Sequence, residues 1–146
     1  MFRLTLAAAL AALCAASGAQ AQDTSSALGT VQSFYAASTP PRTGLADHFV
    51  PDLAAAMEAD LARRDGILSP DYRFDLGERP DGDITFLESE SPHGAAVTVN
   101  FSGGQVLVEL CRRNDGQWRM VDIRDPDEFW GTRAYAGLHL GRVACE

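Results

Sequence analysis

The chain has no lysine: its 12 cations are all arginines, set against 20 acids for a formal net charge of −8. Such an acidic surface repels nucleic acid and anionic lipid headgroups, so neither is an expected partner. A cationic partner would gain in encounter rate, although charge of this kind also simply maintains solubility. Histidine is scarce. His48, His93 and His139 lie too far apart to share a helix face, so a helical metal site is excluded. Three cysteines are present without a C-x-x-C spacing, which leaves neither a thiolate metal site nor a redox pair in view. There is no G-x-S-x-G elbow for a nucleophilic serine and no glycine-rich loop opening a helix for phosphate. Asp81-Gly82-Asp83 lacks the alternating ligands of a calcium loop and has Pro92 where the closing glutamate belongs, so it reads as a turn. Neither cofactor nor metal is expected.

What is present begins with a leader pattern. Met1-Phe2-Arg3 supplies a positive start, Leu4 to Ala16 is an almost unbroken Ala/Leu run, and Ala19-Gln20-Ala21 is a small-x-small cleavage site. The run is shorter than the roughly 20 residues a membrane span needs. The expectation is a cleavable signal peptide over residues 1–21, a single domain over residues 22–146, a periplasmic or secreted location, and no membrane insertion after cleavage. Loss of Arg3 and Cys14 leaves Cys111 and Cys145, an even pair in an oxidising compartment. A disulfide between them is expected to stabilise the fold by roughly 3–4 kcal/mol through loop closure.

Leu28, Val31, Phe34 and Tyr35 recur at helical spacing behind Asp23-Thr24-Ser25-Ser26, predicting a helix to about Ala37, stopped by Pro40-Pro41. Leu45 to Phe49 reads as one helical turn. Pro51 opens a second helix along Leu53, Met57 and Leu61, with Arg63 and Arg64 at its end and Gly66 as the terminating residue. Residues 69–83 carry prolines, glycines and aspartates, and predict an irregular connection. A short strand is expected over residues 84–88, a turn over 89–94, and then a three-strand meander from Ala95 to Asp125, turned at Ser102-Gly103-Gly104 and Asn114-Asp115-Gly116. A helical turn capped by Asp127 over residues 127–130 and a packed tail tied by Cys145 complete the reading.

Helices segregated ahead of strands predict an α+β fold: N-terminal helices packed on a curved antiparallel sheet of about four strands, cone-like in outline. The helix Val31-Gln32-Ser33-Phe34-Tyr35 and the ending Gly116-Gln117-Trp118-Arg119-Met120-Val121-Asp122-Ile123 resemble a family of small exported bacterial proteins of unknown function with the nuclear-transport-factor-like, or cystatin-like, cone fold. The resemblance covers roughly residues 26–125. It implies a pocket between the curved sheet and the first helix, and no particular activity.

Enzymes of that cone project a carboxylate, histidine or tyrosine into the pocket. Asp122, between Val121 and Ile123, and Glu109, between Val108 and Leu110, are the candidates here, since an apolar setting raises a carboxyl pKa and suits it to base catalysis. Strand alternation instead places both on the solvent face, and that is the expectation. Tyr35 and Trp118 line a pocket or fill the core. Arg112, Arg113 and Arg124 either clamp a carboxylate or pair with nearby acids. With no catalytic constellation in view, the expected function is that of an exported, non-catalytic binding or protein-interaction domain for a small molecule or an envelope protein. The alternative is a cofactor-free lyase or isomerase using Asp122 or Glu109.

Overall fold

A computed structural model describes residues 24–74, 77–127, 131–135, 137–138 and 144–146. The expected signal peptide over residues 1–21, His139 and residues 128–130 of the expected helical turn lie outside the described residues.

Helix α1 (Ala27–Ala36) starts where Ser26 Oγ accepts from the Gly29 N–H at 3.0 Å. Its buried face, Ala27, Thr30, Val31, Phe34 and Tyr35, is the stripe its spacing dictates. A short 3₁₀ turn, Leu45–Asp47, leads to α2 (Pro51–Ala62), whose Pro51 occupies the tolerated first position. The helix stops at Ala62 without Gly66 as its C-terminal cap. Instead the Asp60 carboxylate accepts from the Ile67 and Leu68 N–H groups at 3.0 and 2.9 Å and folds the chain back. Gly66 is needed for closeness: a Cβ there would lie 2.9 Å from Asp60 Oδ2 and closer still to the Asp60 carbonyl.

The sheet has strand order β1-β2-β3-β4, antiparallel throughout: β1 (Thr85–Ser91), β2 (Gly94–Phe101), β3 (Gly104–Arg112) and β4 (Trp118–Arg124). The first strand continues to Ser91, so the expected turn over residues 89–94 shrinks to Pro92-His93, with Gly94 at positive φ just beyond. Val97, Val99, Val106, Val108 and Ile123 share one face of the sheet and meet α1 and α2 in the core. The result is an α+β fold in which helices cover one face of a curved antiparallel sheet. A bulge between Glu109 and Leu110 sets Val121 out of register on β4.

The irregular connection is the main surprise of the fold. Asp71, Tyr72, Arg73 and Phe74 are four consecutive buried residues in it. Tyr72 donates its hydroxyl to Pro41 O at 2.7 Å, and Tyr35 donates to Arg73 O at 2.8 Å. The Arg73 guanidinium reaches α1's C-terminal carbonyls, with Nη1 2.8 Å from Ala37 O. Arg79 adds a bond to Tyr35 O at 3.0 Å. These donors come from far along the chain because α1 ends with no basic residue in its last turn.

Candidate functional site

Strand β4 decides the fate of the carboxylates. Five successive residues, Arg119 to Ile123, are buried, which a sheet covered on one side cannot do. The helices cover the face bearing Met120 and Ile123; the C-terminal segment returns over the other. Gly131 bridges Arg124, and helix α3 (Thr132–Tyr135) follows. Asp122 is therefore only 2% exposed, contrary to the solvent-facing placement expected from alternation. Gly131 is obligatory for this approach, since a Cβ there would lie 2.7 and 2.8 Å from the two Asp122 oxygens.

Asp122 Oδ1 accepts from Thr132 Oγ1 at 2.8 Å and from the Arg133 N–H at 3.0 Å, and Thr132 Oγ1 accepts in turn from the Ile123 N–H at 3.1 Å. The carboxylate thus acts as a cap supplied from β4 to the first turn of α3. Burial is the main cause of an Asp122 pKa raised above the ordinary carboxylate value; the nearby Glu109 charge pushes the same way, and the bonds from Arg133 and Thr132 oppose it. Glu109 sits directly across from Asp122 in the β3–β4 register, with its side chain 14% exposed and Oε2 3.7 Å from Arg124 Nε. Arg113 pairs at similar length with Asp115 and Glu146, and Arg112 Nε donates to Gly116 O. The arginines near the strand ends are thus engaged locally.

The raised Asp122 pKa has a definite sign. A carboxyl that holds its proton more tightly when folded favours folding most below its unfolded pKa, and that contribution is lost as pH rises through the folded value. Asn at this position keeps an oxygen for Thr132 and Arg133 but never ionises. Relative to wild type, Asp122→Asn is expected to gain melting temperature between pH 4 and pH 7. A constant difference across that range in thermal scans would refute the assignment.

Tyr35 is buried, with its hydroxyl committed to Arg73 O, and burial drives its pKa far up. Trp118 packs partly against the core, its ring close over Gly94, and its backbone N–H donates to Thr24 O at 3.2 Å. His48 lies half-buried against Phe34, ring centroids 5.0 Å apart, with its pKa lowered mainly by burial. His93 sits in the β1–β2 turn.

The open concavity lies elsewhere. A cleft of about 170 Å³ opens where β4 ends, between the connection and α3. Its walls are Leu68, Tyr72, Phe74, Val106 and Ile123, with Ser69, Arg124, Asp125 and Thr132 among its polar margins. Ile67 and Tyr135 stand at it 63% and 46% exposed, two of the three large apolar side chains exposed among the described residues. Neither Asp122 nor Glu109 lines it, and nor do Tyr35 or Trp118. The sequence offered one signal for it, the apolar Gly66-Ile67-Leu68 between polar neighbours, but the partners on β3, β4 and α3 are set only by tertiary folding.

Cys111 and Cys145 form a disulfide with Cα atoms 6.0 Å apart. Beside it, Glu146 Oε1 accepts from the Asn114 N–H at 2.6 Å. The C-terminal segment is therefore fastened by Asp122 at α3 and by the disulfide at the end of β3. Among the described residues, no three His, Cys, Asp or Glu side chains converge as metal ligands, and no helix is long and apolar enough to cross a membrane. Comparison with known proteins finds no match to this chain among family models, curated proteins or solved structures.

Proposed function

We propose that this chain is a small exported, non-catalytic binding domain, periplasmic or secreted, whose cleft receives an apolar group. The carrying observation is the cleft itself: Leu68, Tyr72, Phe74, Val106 and Ile123 in its walls, an exposed Ile67 and Tyr135 at the opening, Arg124 and Asp125 at its polar margin, and neither Asp122, Glu109 nor a histidine in the lining. At about 170 Å³ it falls below the usual ligand-pocket range, so its occupant is a compact small molecule or a single side chain of an envelope protein. The leader pattern and the disulfide support the exported location. The α+β layering is compatible with the cone-fold resemblance of residues 26–125, which we carry forward as part of this proposal.

Indole serves as a probe of suitable size and character. In a nuclear magnetic resonance titration it is expected to shift amides of residues 67–74, Val106, Ile123 and Thr132, and Ile67→Asp or Tyr135→Asp should weaken it at least fivefold. Shifts scattered over the surface, or none, would refute the cleft reading. Native mass spectrometry of protein taken from its own compartment then reports any retained occupant.

The alternative, a cofactor-free lyase or isomerase using Asp122 or Glu109, is favoured by one observation, the raised Asp122 pKa. Against it stand the two hydrogen bonds already accepted by Asp122 Oδ1 and the separation of both carboxylates from the cleft lining.

A further inference from the structure

The two edges of the sheet are finished differently. The β4 edge is closed by bridges from Phe49 to Met120 and from Gly131 to Arg124. The β1 edge has no such cover: among the described residues, no backbone hydrogen bond or bridge joins residues 85–91 to anything beyond the β2 hairpin. β1 is seven residues long and almost wholly exposed, so a row of N–H and C=O groups faces solvent along it.

Two features say what this edge can accept. The first is charge. Between residues 80 and 111 the chain carries five acids, Asp81, Asp83, Glu88, Glu90 and Glu109, and no arginine. Glu88 and Glu90 project from the strand on the face shared with Val97, next to the free edge. A second copy pairing antiparallel through the middle of β1 would bring these acids beside their own counterparts, which opposes self-association. A strand bearing arginine or lysine at alternate positions meets them favourably. The second feature is Leu87, 66% exposed on the opposite face. A strand edge that served only to repel other chains would carry no large apolar side chain at its middle. Leu87 lies in a cross-strand row with Thr98 and Leu107, and an apolar residue on an added strand would extend that row.

We infer that the β1 edge is a strand-addition site for an extended, cationic segment of a partner protein, alternating basic and apolar residues. Backbone bonds to the strand supply affinity; Glu88 and Glu90 select the charged positions, and Leu87 selects the apolar one. This surface lies apart from the cleft, and its occupancy does not require the cleft to be filled.

The test uses the full mature protein and a capped hexapeptide of alternating arginine and valine. Binding is followed by fluorescence polarisation, and backbone protection by hydrogen–deuterium exchange. The expected result is saturable binding with slowed exchange confined to residues 85–91. The Glu88→Lys and Glu90→Lys double variant, at exposed positions, should bind at least tenfold more weakly. The same peptide N-methylated at alternate amides, with charge intact, should also lose at least tenfold. Absence of binding overturns the proposal; so does binding that leaves β1 exchange unchanged or that tolerates N-methylation, since both describe charge adsorption without strand pairing. Ile67→Asp is expected to leave peptide binding intact, so failure of the cleft reading and failure of this one give different results.

Discussion

Replacing Arg73 by methionine is expected to destabilise the protein by about 3–5 kcal/mol, the range for breaking a buried ion pair by removing one partner. The Arg73 side chain is fully buried. Its Nε and Nη2 meet the two Asp71 oxygens at 2.8 and 2.6 Å in a fork-to-fork pair. Nη1 bonds Ala37 O at 2.8 Å and Phe34 O at 3.3 Å, and the guanidinium carbon lies 5.6 Å from the Phe74 ring centroid. One side chain therefore neutralises a buried carboxylate, satisfies the end of α1 and anchors the connection that forms the cleft wall. Methionine restores much of the volume and none of the donors. It leaves Asp71 as an unpaired buried charge and removes the guanidinium donor to Phe34 O, while Ala37 O and Tyr35 O keep their bonds from Arg79. For a domain of this size the melting temperature should fall on the order of 10–20 °C. Lysine keeps the charge but not the planar fork, and should recover only part of the loss. Adding Asp71→Asn to Arg73→Met should also recover part, because it removes the stranded charge. Urea titrations of the three variants decide the matter: a loss under about 1 kcal/mol for Arg73→Met would contradict this account.

Reduction of the Cys111–Cys145 disulfide is expected to lower stability by roughly 3–4 kcal/mol, the chain-entropy value for a closed loop of this length. The two cysteines are separated by 34 residues in sequence. The loop they close includes β4 and α3, so the bridge restrains in the unfolded chain the segment that must return over β4. Local disorder should follow on reduction. Glu146 would lose its seat against Asn114, and hydrogen exchange should quicken around α3, since Asp122 would then be its main remaining fastening. Thermal scans with and without a reductant provide the test, with Cys111→Ala/Cys145→Ala as a control for the chemistry of reduction. An unchanged melting curve would show that the bridge does not carry the tail.

The features legible in the sequence rest on local signals. The stripe of α1, the proline start of α2, the glycine turns of the meander and the pairing of Cys111 with Cys145 all follow from periodicity, turn chemistry and cysteine count. Local pattern misleads where a residue's environment is made by distant chain. Asp122 alternates correctly for an outward-facing strand residue, and it does face away from the helices. It is buried because Gly131 and Thr132 lie on top of it, and no pattern near position 122 reports their arrival. The connection over residues 69–83 is irregular as its prolines and glycines predict, but the burial of Asp71 to Phe74 within it has the same distant origin. Arg73 enters the interior only because Asp71 and the end of α1 are already there to receive it.

The sequence by itself therefore determined the class of this protein: α+β, two principal helices ahead of a four-stranded meander, acidic, with two cysteines matched for a bridge. Alternation and capping act over a few residues, so a single chain displays them directly. Tertiary structure alone decided which face of β4 is dry, where the cleft opens and which edge of the sheet stays free. Those outcomes depend on the return of the C-terminal segment and on the docking of the connection, contacts between residues tens of positions apart that leave no periodic trace in the sequence.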